Sequence, residues 1–368
     1  MESVLKRLSV ALVRRTNSGP ARVPQAVSAH GGTSSVRTGK KYGAPRLNHF
    51  MSLGPQGFHR IAYTEWGNPA NPNIVLCVHG LTRNSRDFDA LATDLSRDFR
   101  VVCMDVAGRG ASDWLKDKRD YGFSLYQADA AALLARVTAP ADLSSDSRRR
   151  NDAGPAPMHQ VDWIGTSMGG LIGMMLAAKA NSPIRRLVMN DVGPFIPWYA
   201  LLAMSAHDYG QHTRFAGLTE VEQYLRQACA SFGPLPGEHW RHLAEHNARR
   251  NEDGSYTLAF DPAVLTPRRD PTMEFRLGSD LRQGLNMWPV WDKVQCPALV
   301  LRGAQSNVLE HTTCEEMRKR HPATQVVEFP GVGHAPWLAS EDQMRIVRDF
   351  LLMPISSFPN QLHSRSHS

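Results

Sequence analysis

The chain has no run of 18 consecutive apolar residues, so no helix able to cross a bilayer is predicted. Its most apolar stretch, Leu171 to Ala178, is too short and is interrupted by Gly173. Cysteine is scarce. Cys77, Cys103, Cys229, Cys296 and Cys314 are odd in number and lack metal-type spacing. That excludes a disulfide scaffold and a zinc site, and predicts reduced, mostly buried thiols in a reducing compartment. There is no Walker-type loop, and Gly108-Arg-Gly110 lacks the third glycine of a dinucleotide fingerprint, so no cofactor and no metal is expected. Acidic residues are nearly missing from residues 1–41, where Lys6, Arg7, Arg14, Arg15, Arg22, Arg37, Lys40 and Lys41 face only Glu2. The whole net charge of +7 therefore sits in that tail, and the remainder balances 34 basic against 34 acidic residues. A basic tail on a neutral body argues against an extended nucleic-acid surface.

What is present is globular. Of 368 residues, 42% are hydrophobic and 21% charged, which is enough for a large core and excludes a mainly disordered or collagen-like chain. In the tail, Val4, Leu5, Leu8 and Leu12 share a helical face with Arg and Lys interleaved. This fits a transit peptide, hence an organellar protein. The plainer reading is a disordered extension on a cytoplasmic protein.

The body is expected to begin near Phe58. A continuous apolar run at Ile74 to Val78, and apolar-rich stretches at Arg100 to Met104, Val161 to Ile164, Leu187 to Met189, Ala298 to Leu301 and Gln325 to Phe329, predict the strands of a mostly parallel, buried sheet. Helices are predicted between them at Asp87 to Leu95, from a Ser124 cap to Val137, and at Leu171 to Lys179. Alternating strands and helices predict an α/β protein whose mostly parallel sheet carries helices on both faces. Residues 42–194 and 291–355 form this core, with a mobile polar loop at 138–159 and a C-terminal tail at 356–368. Residues 195–290 hold helical stretches (Glu220 to Cys229, Gly237 to Arg249), many aromatics and no strong strand. They are predicted to be a helical lid.

Gly165-Thr-Ser167-Met-Gly169 follows a predicted strand and precedes a predicted helix. That is the context of a nucleophile elbow, in which a sharp turn lifts the serine hydroxyl above the sheet at a helix N-terminus. The five-residue pattern is weak alone and strong in this setting. A serine nucleophile needs a base. His334, in Gly331-Val-Gly-His-Ala-Pro after the last strand, lies at the correct strand end and in the correct chain order. The N–H of Met168 and the N–H of Leu81, in His79-Gly80-Leu81 after the first buried strand, are the candidate oxyanion donors.

These pieces, with Asp105, Gly108-Arg-Gly-Ala-Ser-Asp113, Asn190-Asp-Val-Gly-Pro194 and Leu301-Arg-Gly303, resemble the α/β-hydrolases from about residue 58 to 352. The likeness is to the serine-nucleophile, lid-bearing, esterase- and lactonase-like branch with a His-Gly-x oxyanion loop. It implies hydrolysis of a small carboxylic ester or similar acyl substrate through an acyl-enzyme. The serine argues against the aspartate-nucleophile dehalogenases and epoxide hydrolases. There is one departure. The resemblance places the triad acid in a Gly-x-x-Ser-Asp stretch, and here that stretch is Gly303-Ala-Gln-Ser-Asn307. In serine proteases an Asp→Asn exchange costs roughly 10⁴ in kcat. Three readings stay open: Asn307 orients His334 and activity is weak; Asp191 or Glu310 supplies the acid; or the protein is a degraded, ligand-binding relative. Asp191 is read first as a strand-end or helix cap, because the family carries Asn-Asp-x-Gly-Pro even where the usual acid exists. Arg109 and Asp113 are expected to tie the loop after the second buried strand, and Arg83 and Phe88 to border the site. Trp198, Tyr199, Phe215, Trp288 and Trp291 are pocket or lid-core candidates, and His311 and His321 are expected to be exposed.

Overall fold

A computed structural model describes residues 44–139, 159–207, 209–210, 212–265 and 284–359. The basic tail 1–41, most of the 138–159 loop and most of the C-terminal tail lie outside the described residues.

The body starts earlier than Phe58. An antiparallel hairpin, β1 (Arg46–Gly54) and β2 (Gly57–Trp66), precedes β3 (Ile74–Val78). The hairpin lacks a clear apolar run because β1 is an edge strand, with Leu47, Met51 and Leu53 exposed. Its tight turn is marked by Gly57 at φ +109°, a conformation that favours glycine. After β3 come α1 (Asp89–Leu95), β4 (Arg100–Met104), α2 (Phe123–Thr138), β5 (Val161–Thr166), α3 (Met168–Ala177) and β6 (Ile184–Asn190). Gly122, not Ser124, stands at the cap position of α2, a shift of the usual size at a helix end.

The segment after β6 contains β7 (Phe195–Ile196), α4 (Trp198–Ala206), α5 (Leu218–Ala228), α6 (Gly237–Asn247), β8 (Ala248–Arg250), β9 (Tyr256–Leu258), β10 (Leu285–Asn286) and α7 (Trp288–Trp291). Its described residues are mainly helical, as the composition suggests, but two miniature antiparallel pairs, β7 with β10 and β8 with β9, pin them. Strands of two or three residues leave no periodicity to find in a sequence. The chain returns through β11 (Ala298–Gly303), α8 (His311–Arg320), β12 (Thr324–Phe329) and α9 (Glu341–Leu352).

The sheet has eight strands in the order β1-β2-β4-β3-β5-β6-β11-β12. It is antiparallel at β1-β2-β4 and parallel from β4 to β12. Successive strand side chains point to opposite faces, and the two cores follow that alternation. Ile74, Leu76 and Val78 pack with Leu133 of α2 and Ile172 of α3. Val75 and Cys77 pack with Leu91 of α1 and Phe350 of α9. With both faces covered, β3 and β11 are buried along their whole length. This explains their enrichment in Val, Ile and Leu. Four of the five cysteines are buried and Cys296 is half-buried, none in a disulfide. Among the described residues, no helix is long and apolar enough to cross a membrane.

The hairpin is fastened to α2 by a buried polar knot. Ser52 Oγ donates to Asp129 Oδ1 at 2.6 Å, and His59 Nε2 lies 3.1 Å from Asp129 Oδ2. The hydrogen bond to Asp129 raises the His59 pKa against the opposing effect of burial. A folded pKa above the unfolded value of about 6.5 gives a stabilisation that is complete below pH 6.5 and is lost as pH rises through the folded pKa. The melting-temperature advantage of the parent over His59→Gln is therefore expected to shrink with rising pH in that window. An advantage independent of pH between 5.5 and 8.5 would mean that His59 is not protonated in the folded state.

Candidate active site

Ser167 occupies the single residue between β5 and α3, at φ 51° and ψ −114°. This is a strained conformation for a residue with a Cβ, costing on the order of 1–3 kcal/mol. The surroundings impose it. Ser167 N–H donates to Asn190 O at 2.9 Å, and Ser167 O accepts from Gly170 N–H at 2.9 Å. The glycines of the motif are steric necessities: a Cβ at Gly165 would fall on the carbonyl of Gly169, and one at Gly169 on the carbonyl of Val78. Strand, elbow and helix thus interlock with no room for another side chain.

His334 follows β12 and reaches back over the sheet. Its Nε2 lies 2.9 Å from Ser167 Oγ, and its Nδ1 lies 2.7 Å from Asp191 Oδ2. The structure thus brings Ser167 and His334 together, and it sets Asp191, read from the sequence first as a strand-end or helix cap, against the imidazole. Asn307 is exposed on the cavity wall, and Asp191 rather than Asn307 meets the imidazole. Glu310 is also not the partner, since its Oε1 accepts from Tyr199 O–H at 2.6 Å. The reason is sheet topology. β6 and β11 are neighbours, and Asp191 N–H donates to Leu301 O at 2.7 Å. This sets the Asp191 carboxylate beside the loop that follows β11. Gly303 N–H donates to Asp191 Oδ1 at 2.8 Å and Ser306 Oγ to Oδ2 at 2.5 Å. The Gly303–Asn307 stretch thus contributes donors to a fully buried acid on the adjacent strand. Asn190 completes the support: its Nδ2 donates to Pro336 O at 2.8 Å, holding the chain just after His334.

The loop after β3 is held by two buried side chains, His79 and Arg109. His79 donates from Nδ1 to Gly80 O at 2.7 Å, and its Nε2 accepts Val106 N–H at 3.0 Å. Full burial pushes the His79 pKa down to about 3, so the ring is neutral and the tautomer is fixed by these two bonds. Arg109 is fully buried and donates from Nε to Leu81 O at 2.8 Å and from Nη1 to Ala107 O at 2.7 Å. Arg109 was expected only to tie its own loop, but it also ties the Leu81 peptide to it. Asp113 closes its own loop by accepting Gly108 N–H at 2.9 Å on its carbonyl, and its carboxylate accepts Arg60 N–H at 2.8 Å, which fastens the loop to β2. The Leu81 N–H has no acceptor among the described residues, and Met168, as the first residue of α3, has no intrahelical one.

A cavity of about 270 Å³ opens onto Ser167 and His334. Its floor is the sheet end, with Gly80, Leu81 and Thr166, and Arg83 and Phe88 border it as expected. Its roof comes from the inserted segment: Met204, Tyr224, Phe232, Leu258 and Phe260. The aromatic candidates from the sequence are not in the wall. Trp198 and Tyr199 are exposed, Phe215 and Trp291 are buried in packing, and Trp288 carries the Arg320 guanidinium 4.6 Å over its ring. Trp337, three residues past His334, lines the cavity instead and was missed because it lies outside every recognisable motif. His311 is exposed, but His321 is buried, with Nδ1 2.9 Å from Thr324 Oγ1 and a pKa pushed down to about 4 by burial.

Comparison with known proteins agrees with this architecture. Residues 75–347 match the model of the alpha/beta hydrolase family. The chain is 40% identical over 310 residues to the 3-hydroxybutyrate-oligomer hydrolase of Cupriavidus necator, covering 83% of this chain and 98% of that one. It is 27% identical over 261 residues to the 2-(acetamidomethylene)succinate hydrolase of Mesorhizobium japonicum, covering 71% and 81%. Among solved structures, an alpha/beta hydrolase from Novosphingobium aromaticivorans superposes with a TM-score of 0.66 at 29% identity, over 83% of this chain and 98% of that one. A mostly parallel eight-stranded sheet, a serine at the β5–α3 elbow and a family match over most of the chain converge: the chain belongs to the α/β-hydrolase family, as a hydrolase of the carboxylic-ester type.

Proposed function

We propose that the protein is a serine esterase that cleaves short esters of small hydroxy acids through an acyl-enzyme, with Ser167, His334 and Asp191 as its triad. The observation that carries this reading is the unbroken hydrogen-bond chain from Asp191 Oδ2 through His334 Nδ1 and Nε2 to Ser167 Oγ, at 2.7 and 2.9 Å. Ser167 Oγ attacks the ester carbonyl while His334 Nε2 takes its proton. Asp191 holds the Nδ1–H tautomer and stabilises the imidazolium. The N–H groups of Leu81 and Met168 receive the oxyanion. Collapse expels the alcohol, protonated by His334. Water then attacks the acyl-enzyme with His334 as base again, releasing the acid and restoring Ser167. The substrate class draws support from the relative in Cupriavidus necator, which acts on 3-hydroxybutyrate oligomers, and from a small, largely apolar cavity. The buried carboxylate on His334 favours this reading over that of a degraded, ligand-binding relative. A fluorophosphonate probe is expected to label Ser167 covalently, and an intact protein that takes up no label would exclude the mechanism.

In this reading the inserted segment 195–290 is a lid that sets acyl size. Phe232 and Phe260 both stand in the roof of the cavity. Replacing either by alanine is expected to shift chain-length preference toward longer acyl groups while acetyl ester turnover changes by less than about 3-fold, roughly 0.65 kcal/mol in the barrier. A uniform loss on all chain lengths would assign these residues to folding.

A further inference from the structure

The cavity wall holds an ion pair that the triad does not use. Arg83 donates from Nε to Asp87 Oδ2 at 2.8 Å and from Nη2 to Oδ1 at 2.7 Å. The two side chains are only 11% and 16% exposed, and the Arg83 guanidinium lies 5.4 Å over the ring of Trp337. The pair is close to the nucleophile. A Cβ built on Gly80 would lie 3.8 Å from both Arg83 Cγ and Ser167 Cβ, so those two atoms are no further apart than twice that distance.

An ion pair shielded this well is a poor source of stability, because desolvation offsets most of the attraction. What it offers is chemistry toward the cavity. Arg83 Nη1 has no acceptor among the described residues, and each Asp87 oxygen keeps a free lone pair beyond its bond to Arg83. One donor and one acceptor therefore stand side by side with no net charge, next to the apolar surfaces of Phe88 and Trp337. A ligand carboxylate there would meet the charge of Asp87. A plain hydrocarbon would displace water and leave Nη1 unpaired. A hydroxyl accepts and donates at once through a single neutral oxygen.

We infer that Arg83 and Asp87 are specificity determinants that read a hydroxyl on the acyl chain close to the scissile carbonyl, so that the preferred substrates are hydroxyacyl esters. The hydroxyl oxygen accepts from Arg83 Nη1 and its proton is donated to Asp87. The inference rests on the serine-esterase reading of the same cavity. It assigns the two residues to substrate positioning, with no part in proton transfer.

The test compares ethyl 3-hydroxybutyrate, ethyl 3-methoxybutyrate and ethyl butyrate on the wild-type protein. The methyl ether keeps the oxygen and removes the donor. The hydroxy ester is expected to exceed both others by at least about 10-fold in kcat/KM, since sites built to bond a hydroxyl discriminate strongly against analogues lacking it. In Arg83→Met/Asp87→Leu that preference is expected to fall to within about 2-fold, a ratio that is independent of any overall loss of activity. Asp87→Asn, which keeps the volume, is expected to weaken the preference in the same direction should the double variant fail to fold. Equal turnover of hydroxy and methoxy esters by the wild type, or a preference that survives both sets of substitutions, would overturn the inference. So would a preference for monoethyl over diethyl succinate that Arg83→Met abolishes, which would make the pair a carboxylate receptor. Each of these failures leaves fluorophosphonate labelling of Ser167 intact. Absence of labelling together with absence of turnover of all the esters would remove the underlying esterase reading, and the inference with it.

Discussion

Ser167→Ala is expected to reduce kcat/KM on short acyl esters by about 10⁴- to 10⁶-fold, the range seen when a hydrolase loses its serine nucleophile. In the proposed mechanism the Ser167 hydroxyl oxygen forms the acyl bond. Cys229, another potential nucleophile in the cavity wall, is buried, and that burial pushes its thiol pKa up, away from the reactive thiolate. Thermal stability should separate from activity. Alanine at position 167 keeps a Cβ at φ 51°, so the strain persists and the stability change should stay within about 1 kcal/mol. Ser167→Gly removes that Cβ and is expected to be more stable than Ser167→Ala, by about 1 kcal/mol. Two inactive variants with the opposite stability order would mean that the elbow is not strained in solution. Retention of near-parent activity by Ser167→Ala would remove the nucleophile assignment outright.

The parts of the fold that the sequence announces are those governed by short-range rules. The apolar run Ile74–Val78 and the apolar-rich stretch Arg100–Met104 became β3 and β4, because a strand covered on both faces must be largely apolar. Ser167 and His334 were legible for a related reason. The elbow imposes glycines at fixed offsets, and His334 follows directly on the last strand. The hairpin β1–β2 was illegible because an edge strand is under weaker hydrophobic demand, and the two-residue strands of the inserted segment because nothing periodic fits into them. The carboxylate partner of His334 was ambiguous on different grounds. Asp191 and His334 are 143 residues apart, and only the adjacency of β6 and β11 in the sheet brings the Gly303 amide and Ser306 under the Asp191 carboxylate. Strand order is a long-range property that no local pattern encodes. The cavity wall shows the same limit. Trp337 and Tyr224 line it, while the more conspicuous Trp198 stands in solvent.

Asp191→Asn is the second large effect, and it decides between the two acid positions. The carboxylate accepts three hydrogen bonds, from His334 Nδ1–H, Gly303 N–H and Ser306 Oγ–H. An amide has one acceptor oxygen and one NH₂, so at least one of these donors must face another donor, with a stability cost of about 1–3 kcal/mol. Catalysis loses more. The uncharged amide cannot stabilise imidazolium, and an NH₂ turned toward His334 selects the tautomer that points its proton at Ser167. A fall in kcat of about 10⁴-fold is expected, as in serine proteases, equivalent to about 5 kcal/mol in the barrier. Ser306→Ala leaves the charge in place and removes one support, so a loss of about 10-fold is expected. Asn307→Asp places a new carboxylate on an exposed stretch of the cavity wall and is expected to change kcat by less than about 3-fold. The combination is the sharper experiment. If position 307 has no access to His334, Asp191→Asn/Asn307→Asp will be as inactive as Asp191→Asn alone. A recovery of 10-fold or more in the double variant would reveal non-additive coupling between the two positions. It would mean that the loop after β11 reaches the imidazole in solution, and the exclusive role of Asp191 would have to be given up.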